Sequence, residues 1–417
     1  MKPMTYAPTD DAYLTLLQRR SYAAFFTSQC ITNLCDGLLA VTIIYFAIEM
    51  NASALQLGAV TFGVTLSRGF LGPIGGVMGD RMDKRWFLIV VELLRALLML
   101  GLFLFYTSGA LNIYSLTAFG ILVSTCFAIS VPAAKSMIPK LLKEEQLQAG
   151  NALVQTITWP AFFLGSGLLA GFLHFDMKGG IFLATAAAFV VSTALLLLLP
   201  EINTDSDAPS AKTSLREDLS QGYKELSSDR VLLIRVWSYA AFTFFWRGAL
   251  QIVLPLLVLR ELESPAWLFG ALMFVNGAGE FVGNLVVGRL QLRRPLVFSF
   301  LCEPVLGFGL MLLALALFVP YPMVPLFTGA LLIGLGAATI DIPLLTVIQR
   351  HVSQRNIGKV ISYWFTIGSF GGAMGNLALG AYFEFLDVRL GTTILSIGVV
   401  LLGLAMLNWA YRATRQA

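Results

Sequence analysis

Four ionisable residues stand inside long apolar runs: Asp36, Arg68, Arg247 and Glu280. If those runs are helical, at about 1.5 Å per residue each lies roughly 18 to 24 Å from the start of its run, near the middle of a membrane. A charge there costs roughly 2.5 to 3.5 kcal/mol on insertion scales, so a residue kept in such a place is a functional candidate. Ion pairing and proton exchange are the chemistry open to these four. Arginine does not shed its proton, so each guanidinium needs a counter-charge or water. A buried carboxyl can instead be switched between protonated and ionised by moving a cation toward it or away. Asp36 and Arg247 are each followed by Gly and are expected to pair, with Arg68 and Glu280 as a second pair. Either pair could equally be a permanent lock between helices. Gln29 and Asn33, on the same run as Asp36, can add hydrogen bonds. Glu92, Arg95, Glu303 and Asp341 lie nearer one end of their runs.

The elements that must hold these residues follow from composition. The chain of 417 residues is 57% apolar and 12% aromatic, with 28 Lys and Arg and 24 Asp and Glu, and its mean hydropathy is +0.78. That is too little polar surface for a soluble protein. Apolar runs of about 20 residues cross a hydrocarbon core of roughly 30 Å as helices. Twelve are expected, at 21–48, 56–79, 86–106, 113–133, 149–174, 180–200, 231–259, 266–288, 295–319, 322–345, 358–384 and 389–410. Short alternating segments of the kind a barrel needs are absent. The chain therefore reads as an all-α membrane protein.

Cys30, Cys35, Cys126 and Cys302 all sit in apolar runs without CxxC spacing and read as structural thiols. Neither His174 nor His351 joins a ligand cluster, so no metal site is expected. No nucleotide-binding loop with Walker spacing occurs. No cofactor, catalytic constellation or nucleic-acid partner is implied, which points away from an enzyme and leaves ions or a solute gradient as the energy source.

The position of positive charge sets the expected orientation. If the N-terminus is cytoplasmic, the inner segments hold 21 of the 28 Lys and Arg, while the outer loops hold only Lys178, Arg260 and Arg389. By the positive-inside rule both termini are then cytoplasmic. The first run lacks a short apolar core followed by a cleavage site, so a removable signal peptide is not expected.

Glu201 to Arg230 is the only long polar stretch and splits six runs from six. Leu215, Leu219, Tyr223 and Leu226 recur in it at helical spacing, which suggests a surface helix. The expected organisation is a six-helix bundle at 1–200, a cytoplasmic linker at 201–230 and a second bundle at 231–417. The halves echo each other at an offset of 211: "ISVPAAKSMIP" from Ile129 with "IDIPLLTVIQR" from Ile340, and "CDGLLAV" from Cys35 with "WRGALQI" from Trp246. Such repeats imply a pseudo-twofold axis along the membrane normal with a substrate site near the midplane.

Five of the six residues from Asp80 to Arg85 are charged in a chain only 12% charged. Gly76, Asp80, Arg81, Lys84 and Arg85 resemble the loop 2-3 signature of the major facilitator superfamily; Asp83 stands where many members have Gly. The resemblance covers nearly the whole chain and implies the major facilitator fold, twelve helices in two pseudo-symmetric bundles. It also implies that this loop latches against the start of run 11 near Gly358, closing the cytoplasmic face, with Glu92, Arg95, Glu303 and Asp341 bracing the latch. "VELLRALL" from Val91 and "MIPKLLKEEQLQAGNAL" from Met137 resemble the branch containing enterobactin and macrolide exporters. In run 5 the Gly-Pro of the family's antiporter motif is missing, and Pro160 lies upstream instead. Gly-rich "GSFGGAMGNLALG" from Gly368 favours close helix approach. Phe242, Phe244, Phe245, Trp246 and Trp364 could line an apolar pocket or simply pack.

From the resemblance, the expected function is export of an amphipathic small molecule, a siderophore or drug-like compound, by alternating access in a bacterial inner membrane. Protons are the expected coupling ion and a monomer the expected state. A cationic cargo competing for Asp36 gives antiport; an anionic cargo on Arg247 gives symport or no coupling. Two rivals stand beside this: a lysophospholipid flippase of the same superfamily, and a receptor or scaffold that moves nothing.

Overall fold

A computed structural model describes residues 15–81, 83–143, 146–200, 220, 223–227, 229–290, 292–352 and 357–416. Among the described residues, twelve long helical elements follow one another: α1 (Arg20–Glu49), α2 (Ala54–Arg81), α3 (Lys84–Thr107), α4 (Ile113–Leu141), α5 (Leu147–His174), α6 (Lys178–Leu196), α7 (Arg230–Glu261), α8 (Ala266–Arg289), α9 (Pro295–Leu315), α10 (Met323–His351), α11 (Ile357–Phe385) and α12 (Val388–Gln416). Among the described residues, nine of these are long and apolar enough to cross a membrane on composition alone. Hydrocarbon forces this choice, because every backbone N–H and C=O must be satisfied within the segment. α4 and α10 outrun their expected ends at 133 and 345; each carries a proline, Pro132 or Pro343, and continues as helix beyond its apolar stretch.

Polar caps mark the starts of four helices among the described residues. Asp83 accepts from the amide of Trp86 at 2.9 Å and opens α3, which gives the carboxylate a task where the family commonly has Gly. Asn112 forms a capping box with Ser115, and Asp229 and Asp387 cap α7 and α12.

Helix pairing repeats between the halves. α1 packs on α5, α2 on α4 and α3 on α6; six positions later in helix order, α7 packs on α11, α8 on α10 and α9 on α12. The halves meet through α2 with α11 and α5 with α8, pairs that a twofold axis exchanges. On the face opposite the chain termini, Lys178 at the start of α6 pairs with Glu49 at the end of α1, and Arg389 at the start of α12 donates to Glu261 at the end of α7 at 2.6 Å. Lys178 and Arg389 are 211 positions apart, but Glu49 and Glu261 are 212 apart, as are Asn51 and Glu263, both left-handed with φ of 55° and 45°. The wider π-helical turns of α7, Ala249–Val253 and Leu256–Glu261 on either side of Pro255, absorb the extra residue.

Glycine sets how closely the helices approach. A Cβ at Gly37 would lie 1.7 Å from the Phe162 carbonyl oxygen, and one at Gly165 1.8 Å from that of Leu34, so α1 and α5 meet backbone to backbone. On α11, Gly371 and Gly375 face the Ala240 and Phe244 carbonyls of α7, and Gly380 meets Gly58 of α2. Lipid is left to faces such as that of α3, where Val90, Leu93, Leu94, Leu97 and Leu104 are exposed.

Candidate functional site

The close approach of α1 to α5 beside Gly37 brings Asp36, 1% exposed, into the interior of the first bundle. Its partner differs from the expected Arg247. Arg95 of α3 donates from Nη2 to Asp36 Oδ1, and Arg68 of α2 holds its Nη2 4.0 Å from the same oxygen. The second oxygen, Oδ2, is buried with no hydrogen-bond partner. Asp36 thus has two alternative cations on two different helices. Among the described residues no ion pair joins Asp36 to Arg247 or Arg68 to Glu280, and both expected pairings are corrected accordingly. Residues related by a pseudo-twofold axis face each other across the interface between bundles, whereas a carboxylate reaches the helices of its own bundle first.

Around this centre the first bundle builds a polar network. Thr32 donates to Glu92 Oε1 at 3.0 Å and lies 3.3 Å from Ser192, which meets Ser28 at 2.8 Å. Arg95 Nη1 is 3.6 Å from Glu92 Oε1, and its guanidinium lies over the Phe189 ring at 4.1 Å. Arg68 donates from Nε to Ser124 at 3.2 Å and stacks on Phe127 at 4.7 Å. Asn33 turns back to the Gln29 carbonyl of its own helix at 2.7 Å.

The second bundle carries an ion pair that sequence reasoning left unassigned. Arg235, fully buried on α7, donates to Glu303 at 2.7 Å, to Ser238 at 2.6 Å, to Ser299 Oγ at 2.9 Å and carbonyl at 2.8 Å, and to Cys302 Sγ at 3.0 Å. It also lies over the Phe300 ring at 4.4 Å. Glu303 and Glu92 are 211 positions apart, so each bundle sets a carboxylate at the equivalent place against a guanidinium stacked on a ring. Arg235 sits only five residues into its helix, where a basic residue reads as ordinary flanking charge; its signal was that it lies past Arg230, inside the apolar run. Glu280, 3% exposed, has Oε2 unpartnered, and Asp341 and Arg247 lie within its electrostatic reach; Tyr239 faces Asp341.

Between the bundles lies a cavity of about 40 Å³, lined by Ala40, Ile43, Ile44, Thr61, Val64, Thr65, Arg68, Phe162, Arg247 and Gln251. That is room for little more than a water or two. Of the four central ionisable residues, Arg68 and Arg247 line this cavity, while Asp36 sits behind Arg68. None of Phe242, Phe244, Phe245, Trp246 or Trp364 lines it; Phe162 does, and Phe242, Trp246 and Trp364 pack against other rings. Asn376 of α11, fully buried, closes the distal side by donating to Gln251 of α7 at 2.6 Å and to Thr65 of α2 at 3.3 Å. Farther out, the amide of Leu55 at the start of α2 donates to Glu384 of α11 at 3.1 Å.

Toward the face bearing the termini, Lys84 is buried, and Arg85 donates to the Leu197 carbonyl at 2.8 Å, bonding the end of α6 within its own bundle. The side chains of Gly76, Asp80 and Arg81, those at the start of α11 and most of the linker lie outside the described residues.

The description Major Facilitator Superfamily matches residues 25–376 of the chain. Among relatives, YfiS of Bacillus subtilis (strain 168), an uncharacterized MFS-type transporter, is 24% identical over 403 residues, covering 93% of each chain. The nucleoside transporter NupG superposes with a TM-score of 0.71 at 13% identity, covering 94% of this chain and 98% of the other. A bacterial homologue of the human lysosomal transporter Spinster, inward-facing and unoccupied, gives 0.71 at 14% identity, covering 97% and 98%. With twelve helices, two exchangeable bundles and a family match spanning most of its length, the chain belongs to the major facilitator superfamily and is a membrane transporter.

Proposed function

We propose that this transporter exports an amphipathic small molecule, a siderophore or a drug-like compound, from the bacterial cytoplasm across the inner membrane, with both termini cytoplasmic and protons as the coupling ion. The sequence likeness to enterobactin and macrolide exporters supports the direction, and the excess of basic residues on the terminal face supports the orientation. One observation carries the coupling: Asp36 is bonded to Arg95 while Arg68, at 4.0 Å, borders the cavity between the bundles. Rocking of the bundles moves Arg247 of the second bundle relative to Arg68 across the cavity, and the Arg68 side chain can turn toward that cavity or stay beside Asp36. A carboxylate that loses or gains its second cation changes its hold on a proton, which links protonation to which face is open.

In this scheme the bundles 1–200 and 231–417 are the moving bodies, acting as a monomer. The Asn376 bridge supports an arrangement closed on the distal side. The loop residues Gly76, Asp80, Arg81, Lys84 and Arg85 form the opposite gate with the start of α11, and Glu92, Arg95, Glu303 and Asp341 support it.

The test is flux into or out of proteoliposomes holding the full chain under an imposed pH gradient, with a fluorescent drug-like dye and with labelled lysophospholipid as separate cargoes. Gradient-driven dye movement that Asp36→Asn makes independent of pH, with the variant still folded, is the expected result. Movement of lysophospholipid in place of dye would make the protein a flippase. Unchanged pH dependence in Asp36→Asn would remove Asp36 from the coupling.

A further inference from the structure

We infer that the cavity between the bundles is an anion site, in which Arg68 and Arg247 together hold a carboxylate or phosphate group of the cargo. This rests on the transport reading above and names the chemical class of its substrate. Two guanidinium groups, one from each bundle, line a single small cavity that no carboxylate lines. Arg68 is anchored by Ser124 and Phe127, and its nearest carboxylate, Asp36, is already bonded to Arg95. Among the described residues Arg247 has no ion pair and no hydrogen bond; Tyr239 and Glu280 lie within its electrostatic reach. Its stem runs across Gly372 of α11, where a Cβ would lie 2.4 Å from Arg247 Cδ, and Trp246 lies 5.6 Å from its guanidinium.

Two like charges facing one space are stabilised by an anion that bridges them through charge-assisted hydrogen bonds, and guanidinium geometry suits carboxylate and phosphate. Thr61, Thr65 and Gln251 add neutral polar groups at the rim. Ala40, Ile43, Ile44, Val64 and Phe162 form the rest of the wall, so once the bundles part to admit cargo the group held is the anionic end of a molecule whose remainder is apolar. A cationic cargo would meet two guanidinium groups. Export of an anion also runs with an inside-negative potential, worth about 2.3 kcal/mol per charge per 100 mV.

The test uses the full chain in phosphatidylcholine nanodiscs with four small probes: benzoate and phenyl phosphate as anions, benzyl alcohol as neutral, benzylamine as cation. Binding is read by tryptophan fluorescence, to which Trp246 beside Arg247 contributes. The expected result is at least tenfold tighter binding of both anions than of benzyl alcohol, lost in Arg247→Gln. Gly372→Ala, which keeps both charges but displaces the Arg247 stem, should weaken the anions several-fold and leave benzyl alcohol unchanged. Benzylamine binding as tightly as benzoate, or full anion preference in Arg247→Gln, would overturn the assignment. Lysophosphatidylglycerol competing with phenyl phosphate places the anion on a lipid headgroup; failure to compete places it on a soluble cargo. Gradient-driven efflux of a cationic dye together with no anion preference would overturn the anion site alone. Absence of flux for anionic, neutral and cationic cargo alike would overturn the transport reading itself.

Discussion

Removing Arg235 tests whether the second bundle is held by a lock. Its five polar contacts satisfy a fully buried guanidinium, and Glu303, 2% exposed, relies on it for charge balance. Arg235→Met leaves that carboxylate buried without its counter-charge, which typically costs about 3–5 kcal/mol. Replacing both partners, as Arg235→Met with Glu303→Leu, removes the stranded charge and should recover most of the loss, because a buried ion pair and an apolar pair of similar volume are often close in free energy. A unit of about 150–250 residues, the size of one bundle, shifts its Tm by roughly 2–4 °C per kcal/mol. The single variant should therefore melt on the order of 10 °C lower and the double variant within a few degrees of the parent. Thermal unfolding of detergent-purified protein at one fixed scan rate measures both, since irreversible unfolding makes the midpoint depend on rate. A single variant as stable as the parent, or a double variant no more stable than the single, would show that the ion pair does not hold the bundle as its geometry implies.

Two further outcomes follow from the packing. Gly37→Ala places a methyl about where the Phe162 carbonyl stands, at 1.7 Å, so it should sharply lower the folded yield, measured by size-exclusion chromatography, whereas Gly171→Ala, with open space at its Cβ, should not. Asn376→Leu deletes the bridge from α11 to α2 and α7; at about 0.5–1 kcal/mol for each of its two bonds it should shift the population toward distal opening roughly 5- to 30-fold. Spin-label distances between positions 55 and 384 report that opening, and an unchanged distribution would show that the bridge does not close the distal side.

The sequence by itself determined the twelve spans, because a run of about 20 apolar residues has few alternatives to crossing a bilayer as a helix. It determined the repeat, through the offset of 211, and it picked out Asp36, Arg68, Arg247 and Glu280, because charge in hydrocarbon is costly enough to stand out. It could not decide partners. Hydropathy fixes where along a helix a residue lies but leaves rotation about the axis free, and that rotation turned Asp36 to Arg95 and Arg68 rather than to Arg247. Arg235 was hidden for a related reason: near a helix end its charge reads as flanking, and only the approach of α9 makes it a buried pair. The cavity, the Asn376 bridge and the π turns of α7 likewise arise where helices distant in sequence meet, and the tertiary structure alone decided which side chains share that space.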